Sequence, residues 1–184
     1  NSTDLWDLIV ESATKTAEPG LMMWDNIVDN LPAESYADVG FKTVTTNPCG
    51  EIPLSAYDSC RLISINLKNL VKNPFKNPEF DFEKLYDVAS KAMRLSDDLV
   101  ELEVEKLENI IKASDTRDEK ELWESLLKAC KDGRRTGLGT HGLADAIACM
   151  NLRYDSKEAV EVIGKIYETL RNAAYMESVS LAME

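Results

Sequence analysis

The sequence predicts an α/β fold in which short strands alternate with long helices. Residues 41–46 are rich in β-branched side chains, and residues 61–67 alternate apolar and polar side chains, as strands do. Later segments repeat apolar residues in steps of three and four over ten or more positions, which is typical of amphipathic helices. Because helices separate the strands, the order favours parallel pairing.

The composition is that of an ordinary globular protein. A length of 184 residues suits one domain or a piece of a larger one, with 44% hydrophobic and 29% charged residues. The net charge of −12 argues against a nucleic-acid polymer or an anionic membrane as partner. No apolar run reaches the roughly 18 residues of a membrane span, and no signal peptide opens the sequence.

The four cysteines indicate the cellular compartment of the protein, and the two chain ends indicate whether the sequence is complete. The cysteines form no CxxC pair and no dense framework, so we expect a reducing, cytoplasmic environment. The sequence begins with Asn1 and ends inside a helical pattern at Glu184, so we expect a fragment of a longer protein.

The N-terminal third is predicted to be one helix followed by irregular chain. Residues 3–17 carry apolar side chains at helical spacing, and Pro19-Gly20 ends the pattern. The apolar run LMMW at 21–24 is expected to pack under the core. Residues 25–40 are expected to form a loop, and residues 41–46 a strand.

The C-terminal half is predicted to be mostly helical. A long helix begins at Asp81 and continues to about residue 110, and a second helix covers 118–131. Cys130 lies on the apolar face of the second helix, where we expect an inert buried thiol. A final helix begins at Asp155-Ser156.

Two motif matches in this half are weak. The acidic residues after 100 lack the Glu-x-x-His pairs of a carboxylate metal site, and the only histidine is His141, so we predict no metal site. Gly137, Gly139 and Gly142 match G-x-G-x-x-G, but a polar helix precedes them where a dinucleotide site requires an apolar strand. We predict a short strand at 135–140 with close backbone packing, then a helix over 142–150.

The stretch TTNPCGEIPLSAYDSC, residues 45–60, carries the candidate chemistry. Asn47, Cys49 and Glu51 alternate, and alternate residues of an extended segment point to one side. Pro48 and Gly50 between them indicate a stiffened loop tip. A thiol flanked by an amide and a carboxylate suits chemistry on a bound substrate.

The residues alone leave several chemical roles possible for the Cys49 thiol. A cysteine hydrolase would need a histidine base, and His141 lies far along the chain in a glycine-rich run. A redox pair of Cys49 with Cys60 is possible if the strands before and after the loop fold back beside each other. Cys49 as a simple buried residue fits the polar turn poorly. The residues therefore predict a cysteine-dependent catalytic loop.

The segments TNPCGE and YDSCRLISINL resemble the active-site finger loop and following strand of ribonucleotide reductase large subunits. AEPGLMMWDNI before them and GRRTGLGTHGLADAIACMNLRYDS after them occur in the family's order and approximate spacing. The similarity spans most of residues 3–160. It implies that residues 1–184 are the central part of a ten-stranded α/β barrel, whose finger loop threads the middle.

The resemblance implies a role for each residue of the stretch. Cys49 would become a thiyl radical and take the 3′ hydrogen of a ribonucleotide, and Glu51 would be the general base for the 3′ hydroxyl. Asn47 would hold the ribose, so that all three bind substrate. Cys60 would be one of two thiols that reduce the 2′ position, and its partner would lie upstream of this sequence. The product would be a 2′-deoxyribonucleotide, a DNA precursor.

The spacing of the two cysteines favours one subclass of this family. Eleven residues from Cys49 to Cys60 resembles the adenosylcobalamin-dependent class II enzymes. The alternative is a class I large subunit with no cofactor in this chain, whose radical comes from a separate metal-containing subunit. A non-catalytic, partner-binding fragment is a third possibility.

The resemblance also implies partners. They are a ribonucleoside di- or triphosphate, the remaining parts of the reductase chain, a thioredoxin- or glutaredoxin-like reductant and, in the complete enzyme, a second copy in a homodimer. We expect residues 1–184 alone to be inactive. Arg61 and Ile63 stand where the family usually has Asn and Gly, and should change packing near the loop.

Overall fold

The computed structural model describes residues 1–184, and these divide into two units, Asn1–Ala56 and Tyr57–Glu184. The first unit is small and largely exposed, whereas the second contains the hydrophobic core. None of the helices has the length and apolar character that crossing a bilayer requires.

The first unit begins with helix α1, Ser2–Thr16, which confirms the helix predicted there. The side chain of Asn1 accepts a hydrogen bond from the Asp4 amide at 3.0 Å and so caps the first turn. The loop predicted at 25–40 is wrong, because helix α2, Trp24–Asn30, and a 3-10 helix, Pro32–Val39, occupy it. The LMMW run is not core either, since Met23 is 61% exposed.

A short hairpin ends the first unit. Strand β1, Thr45–Thr46, pairs antiparallel with strand β2, Pro53–Leu54. The strand predicted at 41–46 therefore forms only at its last two residues. The cause is local: the Thr43 amide donates to the Glu34 carboxylate at 3.0 Å instead of to a neighbouring strand.

Two parallel strands lie at the centre of the second unit. Strand β3, Leu62–Asn66, pairs with strand β6, Gly137–His141, with Leu62 opposite Gly137. The strands predicted at 61–67 and 135–140 and their parallel pairing are confirmed. Between them the short strands β4, Val71–Lys72, and β5, Glu79–Phe80, pair antiparallel.

Four helices complete this unit and confirm the predicted positions. They are α3, Phe82–Ala113; α4, Arg117–Gly133; α5, Leu143–Cys149; and α6, Lys157–Met183. Asp81 caps α3, as expected, by accepting from the Lys84 amide at 3.0 Å. Helix α6 is capped by Ser156 rather than by Asp155, which instead binds Arg153.

Two apolar clusters hold the helices of the second unit. The larger joins β3 to helices α3, α5 and α6 through residues such as Ile65, Leu85 and Ile166. The smaller joins α3 to α4 through Val100, Val104, Leu107 and Cys130. Burying each large aliphatic side chain contributes roughly 1.5–3 kcal/mol. The six strands form three separate two-stranded sheets, so an α/β architecture is present and the ten-stranded barrel stays a prediction.

Candidate active site

Residues 47–52 form the tip of the β1–β2 hairpin, and Asn47 closes it. Its amide donates to the Ile52 carbonyl at 3.1 Å, and its side-chain Oδ1 accepts from the Ile52 amide at 2.9 Å. Its carbonyl accepts from the Gly50 amide at 3.0 Å. The shape of the tip is therefore set by contacts among its own residues.

Gly50 allows the turn. Its φ of +78° lies in the left-handed region that other residues adopt at a cost. A methyl group at this position would also lie 3.2 Å from Met22 Sδ, so Met22 covers the tip at that point. The sequence predicts that Met22 packs under the core and gives no sign of this contact.

The tip brings Asn47, Cys49 and Glu51 into one turn, as the sequence predicted. Asn47 is half-buried, whereas Cys49 and Glu51 are exposed. The backbone between them is a turn and not an extended strand, which agrees with the stiffened tip that Pro48 and Gly50 indicated. A thiol and a carboxylate exposed on a closed turn are both accessible to a ligand.

Cys60 belongs to the second unit and lies just before β3. It is half-buried, and the residues on both sides of it are anchored. Asp58, whose side chain is 4% exposed, forms an ion pair with Arg135. Ser59 Oγ donates to Glu103 Oε1 at 3.0 Å.

Arg61 is buried, with 8% of its surface exposed, and its guanidinium meets three different acceptors. Nε donates to Glu103 Oε2 at 2.7 Å, and Nη1 donates to the Arg135 carbonyl at 2.8 Å. Nη2 donates to Cys130 Sγ at 3.0 Å. A buried guanidinium is costly unless it is hydrogen-bonded, and these contacts give each of its three nitrogens a partner.

Cys130 is buried, as predicted, but its contact with Arg61 was not predicted. Burial raises the pKa of the Cys130 thiol, and the nearby Arg61 charge opposes that shift only partly. The thiol therefore stays protonated at neutral pH and accepts the Arg61 hydrogen bond as a neutral group.

Gly137 has no side chain and so leaves space beside the Cys60 sulfur. A methyl group added at Gly137 would lie 3.4 Å from Cys60 Sγ and 2.7 Å from Leu62 Cδ2. Its amide also donates to the Arg61 carbonyl at 2.8 Å. The first glycine of the G-x-G-x-x-G match thus permits the close backbone packing expected from the sequence.

The two cysteines of the candidate chemistry lie in different units, and the strands next to them have different partners. β1 pairs with β2, and β3 pairs with β6. The hydrogen-bonded partners of these strands thus come from within their own units, and a Cys49–Cys60 redox pair stays a hypothesis.

The remaining polar candidates are engaged elsewhere. His141 Nδ1 lies 2.9 Å from Ser64 Oγ on the neighbouring strand. Glu101 pairs with Arg134, and Glu108 pairs with Lys131 at 2.7 Å. No group of three or more His, Cys, Asp or Glu side chains is placed to hold a metal ion.

Comparison with known proteins adds a family to this geometry. The family model described as "Ribonucleotide reductase, barrel domain" matches residues 1–184. A vitamin B12-dependent ribonucleoside-diphosphate reductase of Thermoplasma acidophilum is 33% identical over 181 residues, which cover 98% of this chain and 21% of that protein. The protein of the same description from Mycobacterium tuberculosis (strain H37Rv) is 31% identical over 183 residues, or 100% of this chain and 22% of that protein.

A more distant relative has a different description. The ribonucleoside-diphosphate reductase large subunit of Acanthamoeba polyphaga mimivirus is 28% identical over 184 residues, which cover 98% of this chain and 19% of that subunit. The chain spans about a fifth of the length of the curated relatives it matches.

Proposed function

This chain belongs to the ribonucleotide reductase family, and from that premise we propose that it carries part of the active site that reduces ribonucleotides to 2′-deoxyribonucleotides. The observation that carries the proposal is the closed hairpin tip, on which the Cys49 thiol and the Glu51 carboxylate are exposed beside Asn47. The tip would be the end of the finger loop in the complete ten-stranded barrel.

Each tip residue has one task in the proposed reaction. Cys49, as a thiyl radical, takes the hydrogen from C3′ of the ribose and returns it at the end. Glu51 accepts the proton of the 3′ hydroxyl, a role for which an exposed carboxylate on a fixed turn is suited. Because Asn47 Oδ1 is already bound to the Ile52 amide, its Nδ2 amino group is the donor that would meet a ribose hydroxyl.

The net reaction replaces the 2′ hydroxyl by hydrogen. The hydroxyl leaves with a proton as water, and two thiols supply two electrons and two protons and end as one disulfide. Cys60 is one of these thiols, and its partner lies outside residues 1–184. A thioredoxin- or glutaredoxin-like protein with a dithiol then reduces the disulfide. The thiols must begin reduced, which fits the cytoplasm.

We propose adenosylcobalamin as the source of the radical. The relatives described as vitamin B12-dependent support it, and the exposed sulfur of Cys49 fits an initiator that approaches from outside the chain. When bound, the cofactor would supply the radical that removes the hydrogen atom of the Cys49 thiol and leaves the unpaired electron on its sulfur. Cys49 is the residue that would face it.

The substrate and assembly follow the same relatives. Their descriptions name ribonucleoside diphosphates, so we propose a nucleoside diphosphate as substrate. We further propose that the complete enzyme is a homodimer and that residues 1–184 are inactive without the remaining reductase segments.

The cofactor is tested with these residues joined to the remaining reductase segments. Formation of deoxyribonucleoside diphosphate is measured with a dithiol reductant, with and without adenosylcobalamin. We expect turnover only when the cofactor is present. Turnover without it would overturn the cofactor assignment and favour the class I alternative, in which a metal-containing subunit supplies the radical.

A further inference from the structure

We infer that Arg61 and Glu103 are positioning residues for the Cys60 thiol. This inference rests on the proposed function, because it concerns the thiol that supplies electrons to the ribose. We call the set of Asp58, Ser59, Arg61, Glu103 and Arg135 the Cys60 clamp.

The carboxylate of Glu103 holds the residues on both sides of Cys60. Its Oε1 accepts from Ser59 Oγ at 3.0 Å, and its Oε2 accepts from Arg61 Nε at 2.7 Å. One side chain of helix α3 thus fixes the residue before the cysteine and the residue after it. The Asp58–Arg135 ion pair fixes the chain one residue further back.

Arg61 ties this carboxylate to two other parts of the fold. Through Nη2 it reaches Cys130 on helix α4, and through Nη1 it reaches the carbonyl of Arg135, which precedes β6. The planar guanidinium donates to all three acceptors at once. A lysine ammonium at the end of a flexible stem does not reproduce this arrangement. The centre of the clamp is therefore buried, and each of the three guanidinium nitrogens of Arg61 has a hydrogen-bond partner.

The clamp also sets where the sulfur lies. Gly137, the first residue of β6, donates from its amide to the Arg61 carbonyl, and a methyl group added at Gly137 would lie 3.4 Å from the Cys60 sulfur. Moving Arg61 would therefore move the strand contact that seats the thiol.

Disulfide formation is sensitive to such movement. Two cysteines can join only when their Cα atoms are within about 7 Å and their Cβ vectors are suitably directed. A fixed backbone keeps the Cys60 sulfur in a productive direction, so the clamp should increase the rate of the electron-donating step. It makes no contact that would hold the ribose, which the tip residues are proposed to bind. Loss of the clamp should lower kcat and leave KM nearly unchanged.

The test uses Arg61→Lys and Glu103→Gln in the complete cofactor-loaded reductase. Both substitutions introduce a side chain of similar length, so the variants should fold. Thermal melting of each variant shows whether it is folded. The matched control is Arg153→Lys, at an exposed ion pair with Asp155. We expect kcat to fall about tenfold in both clamp variants, with KM within about twofold of the wild type, and no change in the control.

A second measurement reports on the thiol itself. The reduced proteins are treated with iodoacetamide, and alkylation of each cysteine is followed by mass spectrometry. We expect the Cys60 rate to change at least about threefold in the clamp variants, while the Cys49 rate stays at the wild-type value. This measurement does not need turnover.

The outcomes separate the inference from the proposed function. If the wild type forms no deoxyribonucleotide, the proposed function fails, and alkylation still decides whether the clamp positions Cys60. If the wild type is active but the clamp variants keep both its kcat and its Cys60 alkylation rate, the inference is overturned. Equal disturbance of Cys49 and Cys60, or a rise in KM as large as the fall in kcat, would overturn it too, because a general structural role would produce that result.

Discussion

The hairpin tip and the Cys60 segment both carry a cysteine of the proposed chemistry, but they are built in opposite ways. The tip is closed by Asn47 within a few residues, and its thiol is exposed. The Cys60 segment is held by side chains far away in sequence, Glu103 and Arg135 among them, and its surroundings are largely buried. The turn that presents Cys49 is therefore closed by contacts within a few residues, whereas the backbone around Cys60 is held by side chains from distant parts of the second unit.

Glu51→Gln should lower turnover more strongly than either substitution of Asn47. Removing an exposed general base should lower kcat about 10²- to 10⁴-fold. Because the side chain is exposed, the free energy of unfolding should change by less than about 0.5 kcal/mol. Steady-state kinetics and urea unfolding of the same variant measure both quantities. A destabilised but active variant would contradict the description of the tip as locally built.

Asp58→Asn tests whether buried contacts hold the Cys60 segment. It removes the charge of Asp58, whose side chain is 4% exposed, from the ion pair with Arg135, so the free energy of unfolding should fall by roughly 3 kcal/mol. The control is Asp155→Asn, whose ion pair with Arg153 is exposed and should contribute less than about 1 kcal/mol. Equal effects of the two substitutions in denaturant unfolding would show that the Cys60 segment is not held by its buried contacts.

Asn47 closes the tip and is also proposed to bind ribose, so two substitutions are needed to separate these roles. Asn47→Asp keeps an acceptor for the Ile52 amide but loses the Nδ2 donor, whereas Asn47→Ala loses both. We expect KM to rise in both variants, and only the alanine to lower the free energy of unfolding, by about 1 kcal/mol. Unchanged KM in the aspartate variant would remove Asn47 from substrate binding.

The smallest expected effect is a pH dependence at Cys130. Burial raises the pKa of this thiol above its ordinary value of 9.0, so the folded protein holds the proton more tightly than the unfolded chain. That contribution is complete below the ordinary value and is lost as pH rises above it. The free energy of unfolding should therefore fall above about pH 9, and fall less steeply in Cys130→Ala. Parallel pH curves for the two proteins would contradict this.

The sequence predicted the parts of the molecule whose cause is local. The four helices of the second unit, the strands around Ile65 and Leu138, and the turn around Cys49 all follow from periodicity or turn residues. The helix and 3-10 turn over 24–39 were missed because they are short and contain no buried residue.

The contacts around Cys60 could not be predicted from the sequence. Arg61 looked only like a departure from the family pattern, and Cys130 looked like an ordinary core thiol. Their contact joins residues 69 positions apart, and no periodicity or motif encodes it. The sequence does contain one signal for this contact. Arg61 begins an apolar strand pattern and should therefore be buried, and a buried arginine requires a carboxylate partner.

In the proposed mechanism Cys49 carries the radical, and a comparison of two cysteine variants in the complete reductase tests this directly. Deoxyribonucleotide formation is assayed for Cys49→Ala and for Cys149→Ala, a core cysteine that the chemistry does not use. We expect no detectable product from Cys49→Ala and near wild-type turnover from Cys149→Ala. Turnover by folded Cys49→Ala would contradict it.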